Sequence, residues 1–138
     1  MLKVALILFL AFAGCAVKVA PSDLTGEWRM SDESMNRLGL NVRPTFRLSS
    51  GGSLIADNLP SSAFHDSRSW KKLYSGTGVW TLPASRRTQG FSNLVLDFKR
   101  NGPDEATGLL LQVDKDSAGF YVFAWLDEEG GERLTFRR

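Results

Sequence analysis

The chain has 138 residues, with 17 Lys and Arg against 15 Asp and Glu, one His and one Cys. That length makes one domain and leaves too little chain for two cores. The single Cys excludes an internal disulfide or a Cys-based zinc cluster, the single His65 excludes a multi-His metal site, and a formal charge of +2 is too small to mark a nucleic-acid binder.

Residues 1–17 carry one ionisable side chain, Lys3, followed by an apolar run from Val4 to Val17. This run falls short of the roughly 20 residues a spanning helix needs. A positive start, a short apolar core and small residues at its end describe a secretory signal peptide. The only cysteine follows directly, in Phe12-Ala13-Gly14-Cys15. This resembles the lipobox of bacterial lipoproteins, in which two small residues precede a lipidated cysteine; Phe12 stands where that family prefers Leu. The resemblance implies a diacylglyceryl thioether on Cys15, cleavage after Gly14 and acylation of the new amino group, palmitate being one such chain. Ala16 rather than Asp after the cysteine points, by the sorting rule of such lipoproteins, to the outer membrane facing the periplasm. The expected organisation is a signal peptide over 1–14, a lipidated tether over 15–23 and a β domain over 24–138.

Past Pro21 the apolar positions alternate, as they do in half-buried strands. Leu24, Gly26, Trp28 and Met30 share one face, as do Val42, Pro44, Phe46 and Leu48. Ser31 as N-cap and Gly39 as terminator predict a short helix over Asp32–Leu38. Ser49 to Ser53 is turn chemistry before a strand at Leu54–Ala56. Gly76, Gly78, Trp80 and Leu82 share a face, then Leu94, Leu96 and Phe98, then Leu109, Leu111 and Val113. The segment from Phe120 to Leu126 is apolar on both faces, and Leu134 and Phe136 alternate with Arg133, Thr135 and Arg137. About eight strands joined by short turns predict an all-β fold, an antiparallel up-and-down barrel with a β-sandwich as the alternative.

Gly26-Glu27-Trp28 on the first strand resembles the calycin signature of lipocalins and their relatives, in which a first-strand Gly-x-Trp meets a basic residue from the end of the chain. Here that partner is Arg137 or Arg138, and Arg137 is grouped with Gly26 and Trp28. The resemblance implies a Trp that plugs one barrel end under a guanidinium. Gly76-Thr77-Gly78-Val79-Trp80 and Gly131-Glu132-Arg133-Leu134-Thr135-Phe136-Arg137 are also similar to segments of small bacterial envelope lipoproteins, a likeness that carries no activity with it.

Little in the remaining sequence reads as catalytic. Phe64-His65-Asp66-Ser67 has the letters of a hydrolase triad, but adjacent residues cannot converge as a triad must, and no Gly-x-Ser-x-Gly elbow exists. Asp114 to Gly119 begins like a calcium loop but has Trp125 where a bidentate Glu belongs, so it reads as a hairpin turn. The Ser-rich connection Asp57 to Lys72 is long for a meander, and Phe64, His65, Trp70, Lys71 and Lys72 form a candidate binding loop. Its two lysines, like Arg86-Arg87, suit anionic lipid better than nucleic acid given an envelope address. With Trp28, Phe46, Trp80 and Phe98 all inward, the barrel is expected to be filled. The functional expectation is a non-enzymatic, membrane-anchored interaction domain with a protein partner in the envelope and no cofactor, metal or nucleic acid. Its alternatives are an inhibitor or immunity lipoprotein acting on an envelope-targeting hydrolase, and a carrier of a small apolar ligand.

Overall fold

A computed structural model describes residues 17–60, 73–83, 87–88, 91–99, 108–127 and 131–138. Cys15 and the loop residues Phe64, His65, Trp70, Lys71 and Lys72 lie outside them. The strands are β1 (Gly26–Met30), β2 (Thr45–Leu48), β3 (Ser53–Pro60), β4 (Leu73–Thr81), β5 (Arg87–Thr88), β6 (Phe91–Phe98), β7 (Gly108–Asp116), β8 (Gly119–Asp127) and β9 (Glu132–Arg137). The helices are α1 (Pro21–Leu24) and α2 (Asp32–Leu38). Neighbours run β4-β3-β2-β1-β9-β8-β7-β6, and β4 pairs with β6 to close the ring. The two-residue β5 only extends the rim beside Phe91 and Ser92. The fold is therefore a closed, eight-stranded antiparallel barrel, as the alternation predicts.

Closure depends on two glycines of β4. A Cβ at Gly78 would collide with the carbonyl oxygen of Asp97 on β6, so glycine here lets the first and second halves of the barrel meet. A Cβ at Gly76 would collide with the Tyr74 ring, which folds back over that position and packs edge-on against Phe98 at 4.9 Å.

Inward side chains fill the barrel. Trp28, Met30, Leu94, Leu96, Val113 and Val122 are fully buried in one continuous cluster. Trp28 lies flat against Phe46 with ring centroids 6.4 Å apart, and Phe46 meets Phe136 edge-on at 5.2 Å. The four large rings expected inside, Trp28, Phe46, Trp80 and Phe98, are all buried.

Three local expectations change. Leu24 belongs to α1 rather than to the first strand, with Pro21 opening that turn and Asp23 accepting the Ala20 N–H at 2.8 Å. Val42 is 49% exposed and precedes β2 instead of sharing its inward face. Asp57 to Pro60, expected as loop, continues β3 through a bulge in which Asn58 adopts φ 54, a left-handed conformation Asn tolerates. The connection therefore starts after Pro60, and Leu59 is buried.

Helix α2 has the predicted bounds. The Ser31 Oγ accepts the Ser34 N–H at 3.3 Å, and Gly39 ends the helix at φ 66, a backbone geometry that favours glycine. Ser34 is buried because its Oγ in turn accepts the N–H of Thr135 on β9 at 2.9 Å. Ser34→Ala leaves that part-buried N–H without its acceptor, so it should cost about 1 kcal/mol. Urea denaturation checks this, and an unchanged midpoint would contradict the pairing.

Candidate functional site

One end of the barrel is plugged by the residues of the first-strand signature. The indole of Trp28 donates its Nε1–H to the carbonyl of Leu24 at 2.8 Å, tying α1 across the mouth. The guanidinium over that indole belongs to Arg138, 5.1 Å from the ring, and it also donates to the Thr25 carbonyl at 3.2 Å. Gly26 sits beneath it at φ 125, with Arg138 Cδ only 3.5 Å from where a Cβ would stand. Arg137, the residue grouped with Gly26 and Trp28, points to the outer wall instead. The reason is strand parity: Phe136 faces the core, so Arg137 must face out.

The chain ahead of α1 is not a free tether. Val19 packs against the core, and the Val17 carbonyl accepts the Ser92 hydroxyl at 3.3 Å. In an eight-membered ring β6 lies opposite β1, so residues 17–24 cross the whole mouth. Trp80 reinforces the same end by donating Nε1–H to the Ser49 carbonyl at 2.9 Å.

A second cluster lies outside the barrel. Phe123 on β8 is fully buried although it faces away from the interior. Phe91 covers it edge-on at 5.2 Å and Trp125 at 5.4 Å. The Arg133 guanidinium lies over Phe123 at 4.3 Å and over Trp125 at 4.4 Å. Trp125 donates its indole N–H to Gln112 at 2.6 Å. Guanidinium–ring contacts of this kind contribute about 0.5–2 kcal/mol each, so the cluster works as a small satellite core. The two-faced apolar pattern of β8 was the signal for it; nothing local in the sequence links β8 to Phe91, two strands away.

The same wall continues to the β7–β8 turn. Tyr121 donates to Asp114 at 2.9 Å, and burial together with that carboxylate raises the phenol pKa, so it stays protonated at neutral pH. Arg137 stacks on Tyr121 at 4.8 Å and pairs with Asp116 at 2.6 Å. Asp116 also accepts the Ala118 N–H, so the acids of the supposed calcium loop hold the hairpin. The Arg137 hydrogen bond holds the Asp116 carboxyl below its ordinary 3.8. The pair therefore stabilises the fold at pH above 3.8 and loses that contribution as pH falls through the lowered folded value. Urea midpoints for wild type and Asp116→Asn should differ above pH 4 and converge below it. A difference that persists at the acid end would contradict this origin.

The opposite end carries α2 and the exits of β3 at Pro60 and β4 at Leu73. Met35, Leu38 and Leu40 lean on the core there. Ser75 bridges the β3 bulge, donating to Asp57 and accepting the Asn58 N–H, both at 3.0 Å. Pro60 and Leu73 thus lie at the end opposite Val17. Chemically, the described residues offer stacking surfaces, guanidiniums, and carboxylates held in ion pairs with them. No protein-family model, no curated protein and no solved structure matches the chain, so the antiparallel barrel, consistent with a lipocalin-like fold, stands on the geometry alone.

Proposed function

We propose that this protein is a non-enzymatic lipoprotein of the bacterial envelope, acylated on Cys15, whose small calycin-like barrel recognises a protein partner. The observation that carries the reading is the filled interior. An eight-stranded barrel either packs its own side chains or holds one small ligand. Here Trp28, Phe46, Leu94, Leu96, Leu111 and Leu134 occupy the centre with almost no exposure, and residues 17–24 cross one mouth. Recognition is thereby left to the outer wall and the loops, surfaces suited to another macromolecule. The lipobox-like Phe12-Ala13-Gly14-Cys15 supports the anchor, and two or three acyl chains hold a protein on a membrane durably.

The test is labelled palmitate incorporation together with native mass spectrometry of the extracted protein. Palmitate should enter the wild type and not Cys15→Ser, and the protein should fly as the acylated chain, alone or with a protein partner. Label in Cys15→Ser would defeat the anchor. A stoichiometric small apolar ligand would defeat the filled barrel and favour a carrier.

A further inference from the structure

We propose that the β6–β8 wall is the side of the anchored barrel laid against the lipid surface; this rests on the acylation of Cys15 proposed above. The Val17 carbonyl is fixed to Ser92 on β6, and two peptide steps, about 7 Å of chain, separate Val17 from Cys15. The anchor therefore leaves from the rim at β6 and not from the barrel axis. A barrel held at one point of its rim lies toward that side, which turns β6 and its neighbours to the bilayer and β1 and β2 away from it.

The two walls differ in their aromatic side chains and not in exposed aliphatics, since Ile55 on β3 and Val79 on β4 are as exposed as Leu110. Outward from β7 and β8 stand Leu110, 54% exposed, and the half-buried Tyr121 and Trp125. Arg133 and Arg137 are stacked beside these rings. Tyr and Trp pair an apolar body with a polar tip and collect where membrane meets water. The Arg133 guanidinium beside them suits an anionic headgroup, whereas Arg137 is already paired with Asp116. The far wall presents Glu27, Arg29, Thr45 and Arg47 outward from β1 and β2, with Glu27 and Arg47 paired at 3.0 Å and no outward aromatic among these strands. The aromatic wall and the anchor point thus meet at β6, where Phe91 touches Phe123 next to the residue that holds Val17.

The test uses the full acylated chain in phosphatidylethanolamine–phosphatidylglycerol vesicles. Leu110→Cys, Arg29→Cys and Ser50→Cys each receive a nitroxide, Cys15 being blocked by its acyl chain. All three positions are exposed, so wild-type melting is expected of each variant. An aqueous nickel chelate should reach the label at 110 several-fold less often than the label at 29. Equal access at 110 and 29 overturns the assignment. So does shielding at 50 with 110 open, which would stand the barrel on its α1 end. Protein that neither floats with vesicles nor carries acyl mass on Cys15 overturns the anchor, and the assignment with it.

Discussion

Trp28→Ala should leave the barrel largely unfolded in water. The side chain is fully buried and stacked on Phe46, beneath the Arg138 guanidinium, with its indole N–H holding the Leu24 carbonyl. Deleting a buried Trp costs about 3–5 kcal/mol through lost transfer energy and the cavity left behind. The Leu24 carbonyl also loses the indole N–H, and the Arg138 guanidinium loses the ring it covers while keeping the Thr25 carbonyl. Domains of this size have about 5–15 kcal/mol in total, so the loss takes most of the margin. Circular dichroism during urea denaturation reads the result directly. Trp28→Phe should recover part of the loss by refilling the cavity without the N–H. A Trp28→Ala midpoint near the wild-type value would mean that the signature residue plugs nothing.

Gly78→Ala should be nearly as damaging, although it adds one methyl group. The new Cβ would overlap the Asp97 carbonyl, with Phe98 Cα close behind, and backbone atoms cannot swing away as a side-chain tip can. Overpacking that forces backbone apart costs about 3 kcal/mol. It falls on the β4–β6 pairing that closes the ring. Gly51→Ala is the matched control, since nothing lies within 4 Å of its Cβ, and it should stay within about 0.5 kcal/mol of wild type. Similar losses in both variants would assign the effect to glycine removal in general and not to the crossing.

Much of this fold was legible because its determinants are local. Ser31 and Gly39 bounded α2 correctly, since capping chemistry acts within one helical turn. Period-two alternation placed Phe46, Leu96 and Leu111 inside because one face of each strand is wet. Leu24 was misplaced for a physical reason: in a one-turn helix it reaches the same core a strand residue at that parity would reach. Pro21 ahead of Ser22 and Asp23 was the available sign of that turn. The Asp57–Pro60 reading failed because a bulge resets strand parity, and Asn58 was the residue able to make it. For Arg138 the alternation itself carries the sign, as an inward Phe136 sends Arg137 outward. The satellite cluster around Phe123 was different. It joins Phe91, Trp125 and Arg133 from three strands, and only register decides which outward side chains meet.

The junction between the two ends of the chain has a kinetic consequence. Strands β1 and β9 pair over Arg29–Arg137 and Met30–Phe136, and the ladder is prolonged by Ser31 N–H to the Thr135 carbonyl at 2.8 Å and by the Ser34 hydroxyl. These contacts join residues about a hundred positions apart, with |i−j| = 101 for Ser34 and Thr135. The hairpins between them close short loops, whereas this seam closes nearly the whole chain and meets the largest entropic cost. The ring should therefore zip through its hairpins first and shut at the seam last. Ser34→Ala would then speed unfolding while leaving the folding rate almost unchanged, and the amides of Ser31 and Thr135 would be among the first of the barrel to exchange with solvent.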